Sequence, residues 1–394
     1  MWPANTRPNS KTNSQPRVII STLYPLGGNY GGMMQAYALQ AVIRGMGYDV
    51  RTIDSAIRWS ELRGAIRRIR FSLQSALGNA SAERPLSKRE LIATQELTRT
   101  FVRDHIRTVD LFGMSRRSRA RILRGTHALV VGSDQVWRGG YAELSNQFLR
   151  YASKRPIRKF SYAASFGGDR LIRFGPLMRR RTRALAAQFD AISVREEAGI
   201  RLCRQEWGID AEQHIDPTLL LDASHYLNLA TERGIDEPIA GGIFVYVLDK
   251  TPQVDTLIEW ISRGRGLVPF DFLRTSTPGD AGHGANSPLR SVESWVQGFA
   301  NADFVVTDSF HGTVFAILFE KPFIVIGNRS RGLARFDSLL GLLDLRSRLV
   351  DPSQPVPDLT DQPAPDWDKV RHVLTQERLR SVSYLSAALT GPAR

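Results

Sequence analysis

The sequence predicts an α/β protein in which two domains, each built on a parallel sheet, face a cleft. Strand-like apolar runs alternate with helical patterns along the chain, which is the signature of parallel α/β sheets. The 394 residues exceed what one ordinary hydrophobic core organises, so two domains are expected. A polar, turn-rich stretch, "ATERGIDEPIAGG", separates two such series of elements. Each half is therefore predicted to be a Rossmann-like domain.

The first half of the chain supplies the first predicted sheet. Residues 1–16 are predicted to be a disordered tail and residues 17–228 the N-terminal domain. The strand "RVIISTL", a glycine-rich turn, a helix from about Met33 to Met46 and the strand "YDVRTID" form a βαβ unit. Residues 58–124 are predicted to be an Arg-rich helical insertion. Further strands are predicted in "HALVVGSD", "RKFSYAASF" and "AISVRE".

The second half repeats this alternation after a linker at residues 229–240. The C-terminal domain, residues 241–350, begins with the predicted strands "GIFVYVL" and "LVPFDFL". The helix "SVESWVQGFANA", the strand "DFVVTD", another helix and the strand "PFIVIG" follow. Residues 351–394 are predicted to be a Pro-rich loop and a last helix from about Asp368 to Leu389. Two such sheets would place a ligand cleft at the C-terminal ends of their strands.

Composition limits the class of protein. The single cysteine, Cys203, excludes an internal disulfide framework and a Cys-based metal cluster. No apolar run approaches the roughly 20 residues that span a bilayer, and the N-terminus lacks an apolar signal core. We therefore expect a cytoplasmic enzyme. No metal-ligand spacing occurs, and we expect neither a metal nor a cofactor.

The charge balance favours anionic partners. Lys and Arg number 53 against 39 Asp and Glu, a net charge of +14. The arginines cluster in residues 58–124 and 178–183, where solvated helix faces are the plainer interpretation. The alternative is a peripheral helix on the anionic inner membrane leaflet, because Ile66, Ile69, Leu73 and Leu77 recur at helical spacing beside arginines. No nucleic-acid motif accompanies the charge, so nucleic acid is not a predicted partner.

Polar and small residues gather where the predicted strands end. Since the ends of parallel strands point to one side of a sheet, these groups are expected to converge on one cleft. The glycines at positions 28, 31 and 32 fit either a tight turn or close approach of a ligand. The polar residues are Asn29, Tyr30, Gln35, Ser133, Asp134, Gln135, Ser165, Arg195, Glu196, Asp308, Ser309 and His311.

His311 and Arg195 are the strongest candidates for binding an anion. Asp308 and Ser309 fit a helix cap, but His311 falls in the first helical turn, where the helix dipole disfavours an imidazolium. An anion bound there, on free N–H groups of Gly312 and Thr313, would offset that cost. Arg195 fits either a salt bridge or recognition of a carboxylate or phosphate. For Trp137 a place in the core is the favoured interpretation over a sugar platform.

The chain resembles the polysaccharide pyruvyl transferase family. The resemblance rests on "NYGGMMQAYALQAVIRGMGYDV", "VVGSDQVW", "YAASFG", "SVREEAG", "IDPTLLLD", "TDSFHGTVFAILFEKPFIVI" and "RFDSLLGLLDLRSRLV", in the family's order. It implies a GT-B-like pair of Rossmann-like domains. It also implies transfer of a pyruvyl group from phosphoenolpyruvate (PEP) to sugar hydroxyls as a cyclic ketal. By motif position, the family's PEP-binding Arg and His match Arg195 and His311.

The resemblance and the residues together give a set of expected roles. His311 contacts the phosphate and assists proton transfer, Arg195 clamps the anion, and Asp308 or Asp134 acts as base. Ser309, Gly312 and Thr313 complete the expected donor site. The expected saccharide site consists of Asn29, Tyr30, Gln35, Ser133, Gln135 and Ser165.

Two other functions stay open at this point. One is a nucleotide-sugar-dependent glycosyltransferase on the same GT-B architecture. The other is a non-catalytic, membrane-associated partner in polysaccharide assembly.

Overall fold

Two parallel sheets form the framework of the protein, one in each half of the chain. The structure is a computed structural model and describes residues 15–55, 88–140, 143–231, 241–273, 288–328, 332–351 and 363–391. The first sheet has the order β3-β2-β1-β4-β5. Its strands are β1 (Arg17–Ser21), β2 (Asp49–Ile53), β3 (Thr108–Val109), β4 (Thr126–Val131) and β5 (Arg158–Ser161). The pair β6 (Ser193–Val194) and β7 (Glu212–Gln213) continues it through single bridges beyond β5.

The second sheet has the order β12-β11-β10-β8-β9, with every pair parallel. Its strands are β8 (Ile243–Tyr246), β9 (Pro269–Asp271), β10 (Phe304–Thr307), β11 (Phe323–Ile326) and β12 (Leu349–Val350). The predicted fold class, two Rossmann-like α/β domains, is confirmed. The predicted polar groups lie at the carboxyl ends of the strands, which is where open α/β sheets bind their ligands.

The helices begin where short polar side chains cap them. Asn29, Ser115, Thr251, Ser291, Ser309 and Asp366 each accept a first-turn backbone N–H. The helices are α1 (Tyr30–Gly45), α2 (Lys88–Thr94), α3 (Glu96–His105), α4 (Arg116–Arg124), α5 (Leu144–Gln147), α6 (Pro176–Ala186), α7 (Glu197–Leu202), α8 (Ala223–Thr231), α9 (Pro252–Arg265), α10 (Val292–Asn301), α11 (Phe310–Leu318), α12 (Ala334–Leu342) and α13 (Trp367–Thr390). In the described ranges no helix combines the length and apolarity that crossing a membrane requires.

The described part of segment 58–124, residues 88–124, is mostly helical but also contains a strand. Strand β3 lies within it and pairs with β2, so this part completes the first sheet. Phe101 and Val102 of α3 join the core around Met33 and Met34. The predicted membrane-surface helix at residues 66–77 lies outside the described residues, as do most of the N-terminal tail, residues 232–240 and residues 352–362.

A hydrophobic cluster runs from one domain into the other. Met33 and Phe101 of the first domain share it with Trp295 and Phe315 of the second. Helix α8, placed by sequence largely in the N-terminal domain, packs on the second domain, with the Tyr226 and Phe315 ring centroids 4.9 Å apart. Helix α13 crosses back to the first sheet, where Leu385 and Leu389 pack with residues of β1 and β4. The facing strand ends are therefore held together by a shared core.

Candidate active site

One buried carboxylate, Asp216, connects the two residues predicted to bind the donor. Arg195, directly after β6, donates from Nη1 to Asp216 Oδ2 at 2.7 Å. His311, in the first turn of α11, has its Nε2 3.6 Å from the same oxygen. Both side chains are nearly inaccessible, and the carboxylate is fully buried. The structure thus brings Arg195 and His311 to one place from different domains.

Asp216 is held as an anion by several donors. Its Oδ1 accepts from the N–H and hydroxyl of Thr218 at 3.0 and 2.7 Å, and its Oδ2 from Ser133 Oγ at 2.8 Å. Burial alone would raise the pKa of Asp216, but His311, Arg195 and Thr218 outweigh burial and hold this pKa well below its ordinary range. Asp216 lies in the motif "IDPTLLLD", but it was not among the residues predicted to form the site. The available signal was an acid close behind the short strand β7.

Three buried nitrogen atoms of Arg195 and His311 are the unusual feature of this cluster. Arg195 Nε and Nη2 and His311 Nε2 find no hydrogen-bond partner within the described part of the chain. Buried polar groups are normally paired, and charged ones above all. The Arg195 guanidinium also lies over the Phe310 ring, 4.2 Å from its centroid. The ring and Asp216 fix the guanidinium, whose Nε and Nη2 are buried without a hydrogen-bond partner among the described residues.

A second buried guanidinium, Arg335, approaches the same ring. Arg335 belongs to the first turn of α12 and lies 5.6 Å from the centroid of Phe310. Burial and the neighbouring charge of Arg195 lower the pKa of Arg335 to about 10. The guanidiniums of Arg195 and Arg335 thus place two positive charges around the Phe310 ring. Sequence reasoning missed Arg335, because an arginine in a helical pattern normally faces solvent.

The start of α1 lies between His311 and Asp134. A Cβ built on Gly31 would lie 2.1 Å from His311 Nδ1, and one on Gly32 would lie 3.6 Å from Asp134 Oδ2. Both glycines are helical, so neither makes the tight turn considered from sequence. Gly31 instead allows the imidazole to approach the helix backbone.

Asp134 has the geometry of an available base. Its backbone is left-handed, with φ of 74°, and Oδ1 accepts the N–H of Gln135 at 2.8 Å. Its Oδ2 is buried without a hydrogen-bond partner among the described residues. A strained backbone and an unpaired oxygen are features that concentrate at functional sites.

Other predicted donor-site residues have structural partners. Both Asp308 oxygens accept backbone N–H groups, from Leu248 at 2.7 Å and from Asp249 at 2.9 Å. Ser309 caps α11 by accepting the Gly312 N–H, and the Thr313 N–H donates to the Ser309 carbonyl. The expectation that these two N–H groups are free is therefore wrong.

Gly312 is required by packing. Its Cβ would lie 2.3 Å from Thr307 Oγ1, so this glycine lets α11 approach strand β10. Gly312 therefore serves the packing of α11 against β10 rather than the approach of a ligand.

The predicted saccharide residues mostly build the framework around the site. Tyr30 is buried, stacks on Trp295 with centroids 5.6 Å apart, and donates to the Arg290 carbonyl. Ser133 belongs to the Asp216 network, and Gln35 donates from Nε2 to Thr22 Oγ1 at 2.7 Å.

The remaining three saccharide candidates also have partners. Asn29 caps α1, and Gln135 Oε1 accepts from Arg138 at 2.9 Å. Ser165 donates to Glu196 at 2.9 Å, whose pKa is raised by burial against the opposing effect of Arg195. Trp137 is core, as favoured from sequence, and stacks on Phe148.

A cleft of about 650 Å³ opens between the two domains next to this cluster. The first domain contributes Gly167, Arg170 and Arg201, and the second contributes Gly332, Ser338 and Arg346. A smaller cavity of about 60 Å³, lined by Arg195, Asp216, Phe310 and Arg335 among others, shares Ser338 with the cleft. The cleft is large enough for sugar rings and lies directly beside the arginine pair.

These features define a class: a two-domain α/β protein with a buried cationic site at the junction of its sheets. The polysaccharide pyruvyl transferase family model matches residues 29–330, more than half of the chain. The protein belongs to the polysaccharide pyruvyl transferase family. A comparison with curated proteins finds no significant match.

Three solved structures are similar to this chain over most of its length. The kitacinnamycin glycotransferase is 13% identical, with coverage of 96% of this chain and 100% of its own and a TM-score of 0.45. UDP-GlcNAc 2-epimerase of Methanocaldococcus jannaschii is 12% identical, with coverage of 94% and 99% and a TM-score of 0.47. The spinosyn forosaminyltransferase SpnP is 11% identical, with coverage of 96% of both chains and a TM-score of 0.39.

Proposed function

We propose that this protein transfers a pyruvyl group from PEP to two hydroxyls of one sugar residue, forming a cyclic ketal. The acceptor sugar belongs to a cell-surface or extracellular polysaccharide or to its lipid-linked precursor. The observation that carries the proposal is the meeting of Arg195 and His311 at Asp216, with unpaired buried donors on both side chains. Family membership supports a pyruvyl transferase that acts on a saccharide.

The donor PEP carries a phosphate and a carboxylate, which matches a site with more than one cation. The guanidiniums of Arg195 and Arg335, both against Phe310, would hold the anionic groups of PEP. His311 would contact the phosphate from the side of α11. Asp216 serves as a positioning residue, because its oxygens already accept hydrogen bonds from Arg195, Ser133 and Thr218, and it orients Arg195 and His311.

The reaction needs one proton delivered and two removed. The PEP methylene takes a proton, for which His311 is the proposed donor, and a cation forms at the adjacent carbon. One sugar hydroxyl adds to that carbon and gives its proton to Asp134. The C–O bond to phosphate then breaks, and the second hydroxyl adds in its place. The second hydroxyl proton leaves with the phosphate, and the proton on Asp134 returns to His311 through solvent. The net products are therefore the ketal and inorganic phosphate, and both side chains regain their starting protonation states.

Mass spectrometry tests this function directly. Purified protein, PEP and a panel of saccharide acceptors should yield a product heavier by about 70 Da than the acceptor, the increment of a pyruvyl ketal. His311→Gln should lower the rate by about 100- to 10,000-fold, since it removes an acid–base group. Exposed His372, substituted in the same way, is the matched control and should retain the activity. Transfer of label from a nucleotide sugar, with none from PEP, would instead identify a glycosyltransferase and contradict the proposal.

A further inference from the structure

Two exposed helices of the first domain concentrate positive charge. Helix α4, "RRSRARILR", carries five arginines, and helix α6, "PLMRRRTRALA", carries four. Neither helix contains an acidic residue. These nine charges compare with a net charge of +14 for the whole chain of 394 residues. We call the surface formed by α4 and α6 the basic face.

The charges of the basic face oppose the stability of their own helices. Arg117 and Arg121 in α4, and Arg179 and Arg183 in α6, are like charges four residues apart, which repel on a helix surface. Arg116 and Arg117 also lie in a first turn, where the helix dipole disfavours cations. A protein that needed these helices only as cover for its sheet gains nothing from this arrangement.

Internal ion pairs do not neutralise the basic face. Arg179 pairs with Glu206, and none of the other eight arginines has an acidic partner in the ranges that the structure describes. Eight of the nine arginines are exposed, and Arg119 is partly exposed. The guanidiniums are therefore available to an external anion.

Strand order places both helices on the same side of the first sheet. The connections β3 to β4, β4 to β5 and β5 to β6 all run in one direction across the sheet. Right-handed crossovers then put α4 and α6 on one face. Leu123 of α4 and Leu185 of α6 accordingly pack in one hydrophobic cluster. The connection between them adds Arg150, Lys154 and Arg155 to the same side.

We propose that the basic face docks the protein on the surface of an anionic phospholipid bilayer. Guanidiniums bind headgroup phosphates through paired hydrogen bonds. Leu177, in the first turn of α6, is 72% exposed beside the arginines and supplies an apolar side chain for the headgroup boundary.

The exposed side chains favour lipid over nucleic acid. Among the described residues, the exposed large hydrophobic side chains of the basic face include no aromatic ring on which a base could stack. The proposal rests on α4 and α6 alone, and it does not depend on the reaction the site catalyses.

Vesicle flotation with the full chain tests the proposal. The protein should float with vesicles of phosphatidylcholine containing 30 mol% phosphatidylglycerol, stay in solution with pure phosphatidylcholine, and be released by about 0.5 M NaCl as screening increases. Each arginine near an anionic surface changes the partition coefficient about fivefold. The triple variant Arg180→Gln, Arg181→Gln, Arg183→Gln should therefore bind about 100-fold more weakly. Leu177→Ser should weaken binding while leaving its salt dependence in place.

Matched control variants distinguish docking through the basic face from a general effect of the protein's net charge. Substituting three exposed arginines elsewhere, Arg44, Arg51 and Arg263, by Gln should leave flotation within about twofold. The triple variant in α6 should melt no lower than the wild type, because it removes helix repulsion. Equal losses in both triple variants, binding to pure phosphatidylcholine, or tighter binding to a 20-base-pair duplex than to the anionic vesicles would each overturn the proposal.

Discussion

At the scale of single residues, the candidate site depends on one buried carboxylate, Asp216. Asp216 touches Arg195, His311, Ser133 and Thr218, and it turns three separate strand ends into one unit. A buried ion pair is costly to break from one side, because the remaining charge is left without compensation. When no anion is bound, Asp216 therefore stabilises the folded protein by compensating the positive charge of buried Arg195.

Asp216→Asn should therefore destabilise the protein and weaken donor binding together. We expect a loss of about 3–5 kcal/mol in the free energy of unfolding, since buried Arg195 loses its counter-charge. The folded pKa of Asp216 lies below the value of about 3.9 expected in the unfolded chain. This stabilisation is thus complete above about pH 4 and declines as the pH falls further.

Urea unfolding and calorimetric titration with PEP measure the two effects. Asp222→Asn is the control, because Asp222 pairs with Arg378 at an exposed position and should cost no more than about 1 kcal/mol. An Asp216→Asn variant that retains both its unfolding free energy and its PEP affinity would show that Asp216 does not organise the site.

At the scale of elements, apolar runs and helical patterns predicted most strands and helices, and the differences come from a very short strand and from a helix cap. Short continuous apolar runs located β1, β4, β8, β10 and β11, because these strands are buried on both faces and flanked by turns. Strand β3 has two residues, too few to form a pattern. Helix α1 begins three residues before the predicted Met33, because Asn29 caps it.

The sequence predicted which candidate residues lie at strand ends and in family motifs, but it did not predict which groups each of them contacts. Arg195, His311 and Asp134 lie where parallel strands end, and the structure brings them to one junction. The partners of each polar group depend on tertiary contacts that sequence does not show. Hence Arg335 and Asp216 were missed, and Ser309 proved to be a cap for its own helix.

Helix α13 gives the protein a pH-sensitive contact. His214, just after β7, is buried with its ring centroid 4.5 Å from that of Tyr384, and its Nδ1 lies 3.1 Å from Ser381 Oγ. Burial, helped by Arg380 and opposed by Glu212 and Glu377, lowers the pKa of His214. The folded protein therefore keeps this histidine neutral at pH values where the unfolded chain protonates it.

Acidification below about pH 6.5 should reduce stability through His214. The unfolded chain then binds a proton that the folded chain excludes, so stability falls as the pH decreases from about 6.5 toward the lower folded pKa. We expect His214→Gln to have a smaller difference in melting temperature between pH 7.5 and 5.5 than the wild type. The exposed His372→Gln variant should keep the wild-type difference. An unchanged difference in His214→Gln would assign the pH response to other groups.

At the scale of the whole molecule, the two domains share one core, and Tyr30 joins them. Its ring lies nearly parallel to Trp295, at an angle of 7°, and contacts Tyr246 and Phe272 edge-on. Its hydroxyl donates to Arg290 in the second domain at 2.7 Å. Sequence reasoning placed Tyr30 in the saccharide site, whereas these contacts describe a residue that fixes one domain on the other. Because Asp134 follows a strand of the first sheet and His311 a strand of the second, their relative position should depend on how firmly the domains are joined.

Substitutions at Tyr30 distinguish these two roles. Tyr30→Phe keeps the stacking and loses one hydrogen bond, so we expect a cost of about 0.5–1.5 kcal/mol and unimpaired pyruvyl transfer. Tyr30→Ala removes the ring from the shared core, which should cost about 3–5 kcal/mol and lower the transfer rate as the sheets lose their alignment. Scanning calorimetry should show a single transition for the wild type, because a continuous core couples the domains. Tyr48→Ala, at a position away from the domain junction, is the control and should leave the transfer rate unchanged. If Tyr30→Phe abolishes transfer while melting like the wild type, the hydroxyl serves the acceptor and the interpretation from sequence is the right one.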